Sequence, residues 1–260
     1  MRLLSPLLAD FWFCLGFYTR LPVPASAHMA LPDRFSHAIR MLPLAGALVG
    51  SSAALALGAA TTLGFRPLLA APLALCSLLL TSGALHEDGL ADCADGFFGG
   101  ATRERKLEIM RDSRIGTYGA AALALSLYMR AASLTLIASQ GYWLAATVLT
   151  GGAALSRTAA LIPLAILSPA RQDGAGFTAG RPRPRALALA AFLAVLFALA
   201  PLTAGAELLR ALIAIAAAAA VAYAIVPLAR RQIGGQSGDV AGAAQQLGEI
   251  AFYLVYAARL

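Results

Sequence analysis

The sequence predicts an all-α, polytopic integral membrane protein, and three observations carry that expectation. Apolar residues make up 60% of the 260-residue chain and charged residues 13%, whereas about a quarter of a soluble domain is charged. The mean hydropathy is +0.74. Uncharged apolar runs recur at residues 41–65, 67–85, 115–129, 131–156, 186–206 and 211–229, and a helical span takes roughly 20 residues. Residues 240–258 are a seventh candidate. About six to seven transmembrane helices are therefore expected, within one membrane-embedded domain covering residues 1–260.

In chain order, residues 1–24 come first, with Phe11, Trp12, Phe13, Phe17 and Tyr18 among few charges. This segment is expected to lie in the interface as a short aromatic-anchored helix, or to cross the bilayer only partly. No signal-peptide cleavage region is evident; Asp10, Arg20 and the Pro22-Val23-Pro24 turn follow instead. In the later spans, small residues such as those of 211–220 suit close helix packing, and equally a simple low-complexity span.

Basic residues orient the spans, because loops rich in Lys and Arg stay in the cytoplasm. With a cytoplasmic N-terminus and alternating spans, the inner side receives Arg2, Arg20, Arg34 and Arg40. It also receives the loop with Arg103, Arg105, Lys106, Arg111 and Arg114, then Arg171, Arg181, Arg183 and Arg185, and finally Arg230 and Arg231. That is fifteen of the twenty basic residues. Arg66, Arg210 and Arg259 fall outside, and Arg130 and Arg157 fall within spans. The net charge of +7 follows from this rule, and without interleaved aromatics it argues against nucleic acid as a partner. Membrane lipids are the expected surroundings. Cys14, Cys76 and Cys93 are odd in number and widely spaced, so neither disulfides nor a zinc site is expected.

Seven of the thirteen acidic residues lie between Glu87 and Asp112. If residues 84–95 are helical, Asp88, Asp92 and Asp95 stand at about 0°, 40° and 340°, three carboxylates on one narrow face. Such a face repels itself unless a cation neutralises it, and carboxylate oxygens are the hard ligands Mg²⁺ prefers. Asp88, Asp92 and Asp95 are thus candidate metal ligands. Glu87, about 100° off that face, is either a further ligand or a helix-end residue. His86 is either a base or carboxylate-orienting group, or a structural histidine.

Beyond this helix, Gly99 and Gly100 allow a turn with positive φ, and Thr102 suits the N-cap of a following helix. Glu104, Glu108 and Asp112 alternate there with Arg105, Lys106 and Arg111. One reading is a solvated helix laced with ion pairs. The other is a lid whose Arg111 and Arg114 fork onto phosphate oxygens, with Ser113, Gly116 and Gly119 allowing close backbone approach. An arginine inside a span is costly without a partner, so Arg157 is expected to bind a pyrophosphate or pair with an acid in preference to snorkelling, while Arg130 is expected to snorkel or to sit at the interface. Asp239 either joins the site or caps a helix. Glu249 is expected to point inward, its partner open. His28 and His37 are assigned no role.

Residues 85–119, LHEDGLADCADGFFGGATRERKLEIMRDSRIGTYG, closely resemble the signature of the bacterial cobalamin synthase family, the adenosylcobinamide-GDP ribazoletransferases. Further matching elements are Phe17-Tyr18-Thr19-Arg20-Leu21-Pro22-Val23-Pro24, Pro43-Leu44-Ala45-Gly46, Ser156-Arg157 and Gly234-Gly235-Gln236-Ser237-Gly238-Asp239-Val240-Ala241-Gly242-Ala243. The resemblance covers nearly the whole chain in order; Cys93 departs from it, where Thr or a similar small residue is expected. It implies a Mg²⁺-dependent transfer at the cytoplasmic face of the bacterial inner membrane. The α-ribazole hydroxyl attacks the phosphate joined to cobinamide, and GMP leaves. Adenosylcobinamide-GDP and α-ribazole, free or phosphorylated, are then the substrates. The implied roles are metal binding for Glu87, Asp88, Asp92 and Asp95, chemistry for His86, Asp92 and Arg111, and substrate binding for Arg114, Arg157, Gly99, Gly100, Ser113 and Asp239. The number of metals, the base and the oligomeric state stay open, a homo-oligomer included.

Two other classes compete. A CDP-alcohol phosphotransferase reads D-x-x-D-G-x-x-A-R and then further acids; Asp92-Cys93-Ala94-Asp95-Gly96 opens like it, but Phe97-Phe98-Gly99-Gly100 breaks it. A secondary transporter is expected to show repeated halves and charges near the midplane, and no repeat is evident.

Overall fold

The computed structural model describes residues 4–25 and 34–258. Arg2, His28 and Arg259 lie outside the described residues. Every regular element in the described residues is helical, apart from one isolated bridge between Pro169 and Gln236.

An apolar helix α1 (Leu4–Tyr18) precedes α2 (Arg34–Ala38), a 3₁₀ turn (Ile39–Met41) and α3 (Leu42–Thr62). Then come α4 (Pro67–Ser82) and α5 (Leu85–Gly99), the short α6 (Arg103–Ile109), and the pair α7 (Thr117–Gln140) and α8 (Tyr142–Ala159). The chain closes with α9 (Leu161–Ile166), α10 (Gly174–Ala179), α11 (Pro184–Ala198), α12 (Leu208–Ile233) and α13 (Gly238–Ala257). Among the described residues five helices are long and apolar enough to cross a membrane, or six if the bent pair α4–α5 counts as one span.

One expected span boundary fails for a physical reason. Arg130 separates two uncharged runs in the sequence, yet it sits inside α7, and the break between α7 and α8 comes at Gly141, whose φ is 153°. Arg130 is fully buried and ion-paired, so its charge marks an internal contact and not a water boundary. The snorkelling expected of it is corrected accordingly. Residues 240–258 do form a helix, α13, but its buried Gln245, Gln246 and Glu249 make it polar inside. It is not among the helices apolar enough to count as spans.

That polar helix is the hub of the bundle, packed against α5, α7, α8 and α12. Opposite it, α12 offers Ala211, Ala214, Ala218 and Ala222, all 0% exposed. The three- and four-residue spacing puts them on one stripe, and small residues let the helix backbones come close. The same device joins α3 to α8, where a Cβ on Gly46 would sit 2.6 Å from the Ala153 carbonyl oxygen.

Helix α5 does not continue α4. The chain turns through 89° between them, with Gly83 and Ala84 both left-handed at φ 66° and 56°. Glycine takes that conformation freely; Ala84 takes it against its Cβ, and surrounding contacts must hold it there. Arg20 N–H donates to the Thr81 carbonyl at 2.8 Å, tying the end of α1 to this corner.

Candidate functional site

The corner presents α5 across the end of the bundle, and its acidic residues have three different fates. Glu87 faces inward. Its Oε1 accepts from Arg130 Nη1 at 2.7 Å and from Gln246 Nε2 at 2.9 Å. Arg130 also pairs with Glu249 at 2.8 Å, and Arg157 lies 3.7 Å from the same carboxylate. Two arginines and two glutamates, all at most 3% exposed, thus form a buried quartet of zero net charge. This corrects the ligand role expected of Glu87, and it resolves Arg157 as the partner of an acid; neither residue reaches solvent.

Asp95 is also corrected as a ligand, since it is committed to the backbone. Its two oxygens accept Gly116 N–H at 2.7 Å and Gly119 N–H at 2.8 Å. A carboxylate there satisfies otherwise orphaned donors at the start of α7 and suits the positive end of its dipole.

Asp88 and Asp92 remain. Asp88 is exposed and Asp92 half-buried, and among the described residues neither carboxylate accepts a hydrogen bond. They face Asp239, brought near because α5 and α13 touch at Gly89, where a Cβ would lie 2.9 Å from the Asp239 Cα and carbonyl oxygen. Asp239 is not the helix cap. Ser237 takes that place, accepting Val240 N–H at 3.3 Å and donating its hydroxyl to Asp239 at 3.1 Å. Asp88 and Asp239 line one cavity with His86.

The cation nearest these acids is Arg171, a residue without a motif to mark it in the sequence. Its Nη2 is 3.7 Å from Asp239, its Nε 3.4 Å from Asp173, and among the described residues its buried Nη1 has no hydrogen-bond partner. Asp173 in turn takes Arg111, through both oxygens at 2.8 and 2.6 Å. An ion chain Arg111–Asp173–Arg171–Asp239 therefore links the basic loop to the acids. The other loop residues are engaged elsewhere. Arg114 clamps Asp112 bidentately, and those hydrogen bonds hold the Asp112 carboxyl down to about 2. Arg105 pairs with Glu108 at 3.0 Å on the exposed face of α6. Thr102 caps α6 as expected, accepting Arg105 N–H at 3.2 Å. Ser113 is exposed. Gly99 ends α5 and Gly100 leaves it at φ −98°, so neither takes the positive φ expected; Gly100 packs on Lys106, whose backbone nitrogen a Cβ would meet at 2.9 Å. Neither glycine lines the cavity.

His86 is 3% exposed, stacks on Tyr18 with centroids 5.8 Å apart and planes 8° apart, and among the described residues its Nε2 finds no partner. It makes no hydrogen bond to a carboxylate. The basic loops do meet at this end: Arg103 donates to the Ala170 carbonyl at 2.9 Å, and Lys106 bonds Gln232.

Membrane-length helices around a polar hub, with free carboxylates and a guanidinium at one end, define a polytopic helical membrane protein with the equipment for phosphate chemistry. Comparison with known sequences makes the class specific. The chain belongs to the cobalamin-5-phosphate synthase family, whose model matches residues 10–257. A protein of Azorhizobium caulinodans named adenosylcobinamide-GDP ribazoletransferase is 47% identical, covering 97% of this chain and 98% of its own length. Relatives with the same name from Bradyrhizobium diazoefficiens and Ralstonia nicotianae are 44% and 38% identical, each over 96% of this chain and over 94% and 95% of their own. No solved structure matches the chain.

Proposed function

We propose that this chain joins adenosylcobinamide-GDP to α-ribazole, or to its phosphate, at the cytoplasmic face of a bacterial inner membrane. The observation that carries this reading is the pair of uncommitted carboxylates, Asp88 and Asp92, beside Asp239 and Arg171 in a chain of this family. In the reaction the ribazole oxygen bonds to the phosphorus that bears cobinamide. The anhydride bond to the second phosphorus breaks, its electron pair leaves with GMP, and the hydroxyl proton passes to a carboxylate of the site. Arg171 offers its free Nη1 to the diphosphate, and Arg111 holds Arg171 in place through Asp173.

The donor set fits Mg²⁺ in kind, being carboxylate oxygens without competing hydrogen bonds. Among the described residues no three His, Cys, Asp or Glu side chains converge closely enough to hold an ion by themselves. Mg²⁺ is commonly held by one or two carboxylates with substrate phosphates completing its shell, and Asp88 and Asp92 are the residues for that. Held there, it would neutralise charge on the diphosphate.

The test is the purified protein in lipid with the GDP-activated corrinoid, α-ribazole and Mg²⁺. Joined product and GMP are expected, and both are lost on adding chelator and regained with excess Mg²⁺. CMP release from a CDP-alcohol, or corrinoid flux without turnover, overturns the reading, and turnover undiminished by chelator overturns the metal.

A further inference from the structure

Beside the acidic site, α1, α2, α5, α9, α10 and α13 enclose a cavity of ≈ 110 Å³. Liquid water takes roughly 30 Å³ per molecule, so a space of this size suits a small ring system and lies far below a corrin. Phe17, Tyr18, Phe35, Leu85 and Leu164 make most of its wall apolar. The rings hold one another in place: Phe17 and Phe35 meet edge-on at 5.5 Å, and Tyr18 lies flat on His86. Asp88 and Asp239 stand in the same wall.

One feature is unexplained by packing. His86 lines this cavity at 3% exposure, and among the described residues its Nε2 has no hydrogen-bond partner. A buried polar nitrogen left unpaired is costly, and such groups usually await a water, an ion or a ligand. Apolar walls with one convergent polar group describe a ligand pocket.

We infer that this cavity receives a planar fused-ring heteroaromatic base, the benzimidazole of α-ribazole, with His86 hydrogen-bonding its ring nitrogen and Asp88 and Asp239 meeting the ribose. The assignment rests on the transferase reading and deepens it. The base enters edge-first among Phe17, Phe35 and Leu164, where stacking and burial favour a flat apolar ring. Only the unsubstituted ring nitrogen is polar, and it accepts from the Nε2–H tautomer of neutral His86. The sugar is then left at the carboxylates that serve the diphosphate, which places the nucleophile by binding alone.

The experiment measures equilibrium binding of radiolabelled α-ribazole to the purified full chain without corrinoid, together with KM for both substrates. His86→Ala is expected to weaken ribazole binding about tenfold, with His86→Gln, which can reach the Nε2 position, regaining most of it. Ala179→Phe, which fills the cavity, is expected to abolish binding at an unchanged melting temperature. In turnover the ribazole KM follows these changes, and the KM for the GDP-corrinoid stays within about twofold. Unchanged ribazole affinity in folded Ala179→Phe overturns the pocket, whether or not product forms. Displacement of ribazole by lipid acyl chains but not by free benzimidazole overturns it too. A wild-type chain that binds ribazole with the expected variant pattern, yet releases no GMP, overturns the transferase reading and sustains the pocket.

Discussion

Arg130 in α7 and Glu87 in α5 form an ion pair at 2.7 Å, with side chains 0% and 3% exposed. The pair fixes the acidic helix against the bundle, because Gln246 of α13 bonds both partners, at 3.0 and 2.9 Å. Breaking one side leaves an uncompensated buried charge, which costs about 3–5 kcal/mol, whereas removing both charges together is often close to neutral. Arg130→Met and Glu87→Gln are each expected to lower the melting temperature in detergent sharply, and the double variant to recover most of it. Additive losses in the double variant would show that the two do not act as a pair.

Among the described residues Asp88 and Asp92 make no compensating contact, so their removal tests chemistry apart from folding. Asp88→Asn and Asp92→Asn relieve like-charge repulsion on one face of α5 and are expected to leave stability within about 0.5 kcal/mol. Loss of a group that serves the transition state costs roughly 100-fold or more in kcat. GMP release by each variant, beside its melting temperature, separates the two effects. Near-native rates in both would remove these carboxylates from the site.

Much of this arrangement is written locally and is therefore legible in the sequence. The acidic helix from Leu85 and the Thr102 cap depend on neighbours within a few positions, and both form as the residues predict. What the chain does not announce depends on distant partners. Arg130 looks like the end of a span because its acids, Glu87 and Glu249, lie far away in sequence and meet it only in the bundle. Asp95 shares a helical face with Asp88 and Asp92, but a loop returning 21 residues later claims it. Arg171 has no motif and joins the site only because Asp239 arrives from the other end of the chain. The bend at Gly83 and Ala84 is likewise hidden, since alanine seldom takes a positive φ.

Asp95 supplies the contrast to its neighbours. Because it accepts two N–H groups at the start of α7, Asp95→Ala is expected to cost about 1–2 kcal/mol, the range for a lost helix cap. Asp95→Asn keeps one acceptor and is expected to fall between. Activity per folded molecule should change far less than in Asp92→Asn. A pure loss of kcat in Asp95→Asn, with the melting temperature intact, would return this residue to the candidate site beside Asp88 and Asp92.

Arg171 is expected to bind the diphosphate, which Arg171→Ala would report as a KM for the GDP-corrinoid raised about tenfold or more, at a ribazole KM little changed. A charge-assisted hydrogen bond is worth about 1.5–3 kcal/mol, which sets that scale. Arg171→Lys keeps the charge but not the fork, so partial recovery is expected. Equal rises in both KM values would instead indicate a general distortion of the loop.

Gly89 is where α5 and α13 touch, and it sets the distance between the acids of one helix and Asp239 of the other. A Cβ there would lie 2.9 Å from both the Cα and the carbonyl oxygen of Asp239. Backbone atoms cannot rotate aside as a side chain does, so Gly89→Ala has to push the helices apart. Overpacking of this kind costs about 1–3 kcal/mol, partly offset because alanine favours the helix by up to about 1 kcal/mol over glycine. The stability loss is therefore expected to be small and the loss of activity large, because the carboxylates of α5 and α13 separate while the bundle survives. Turnover and melting temperature measured on the same preparation decide the matter: full activity in Gly89→Ala would mean that the spacing between the two helices does not govern the chemistry.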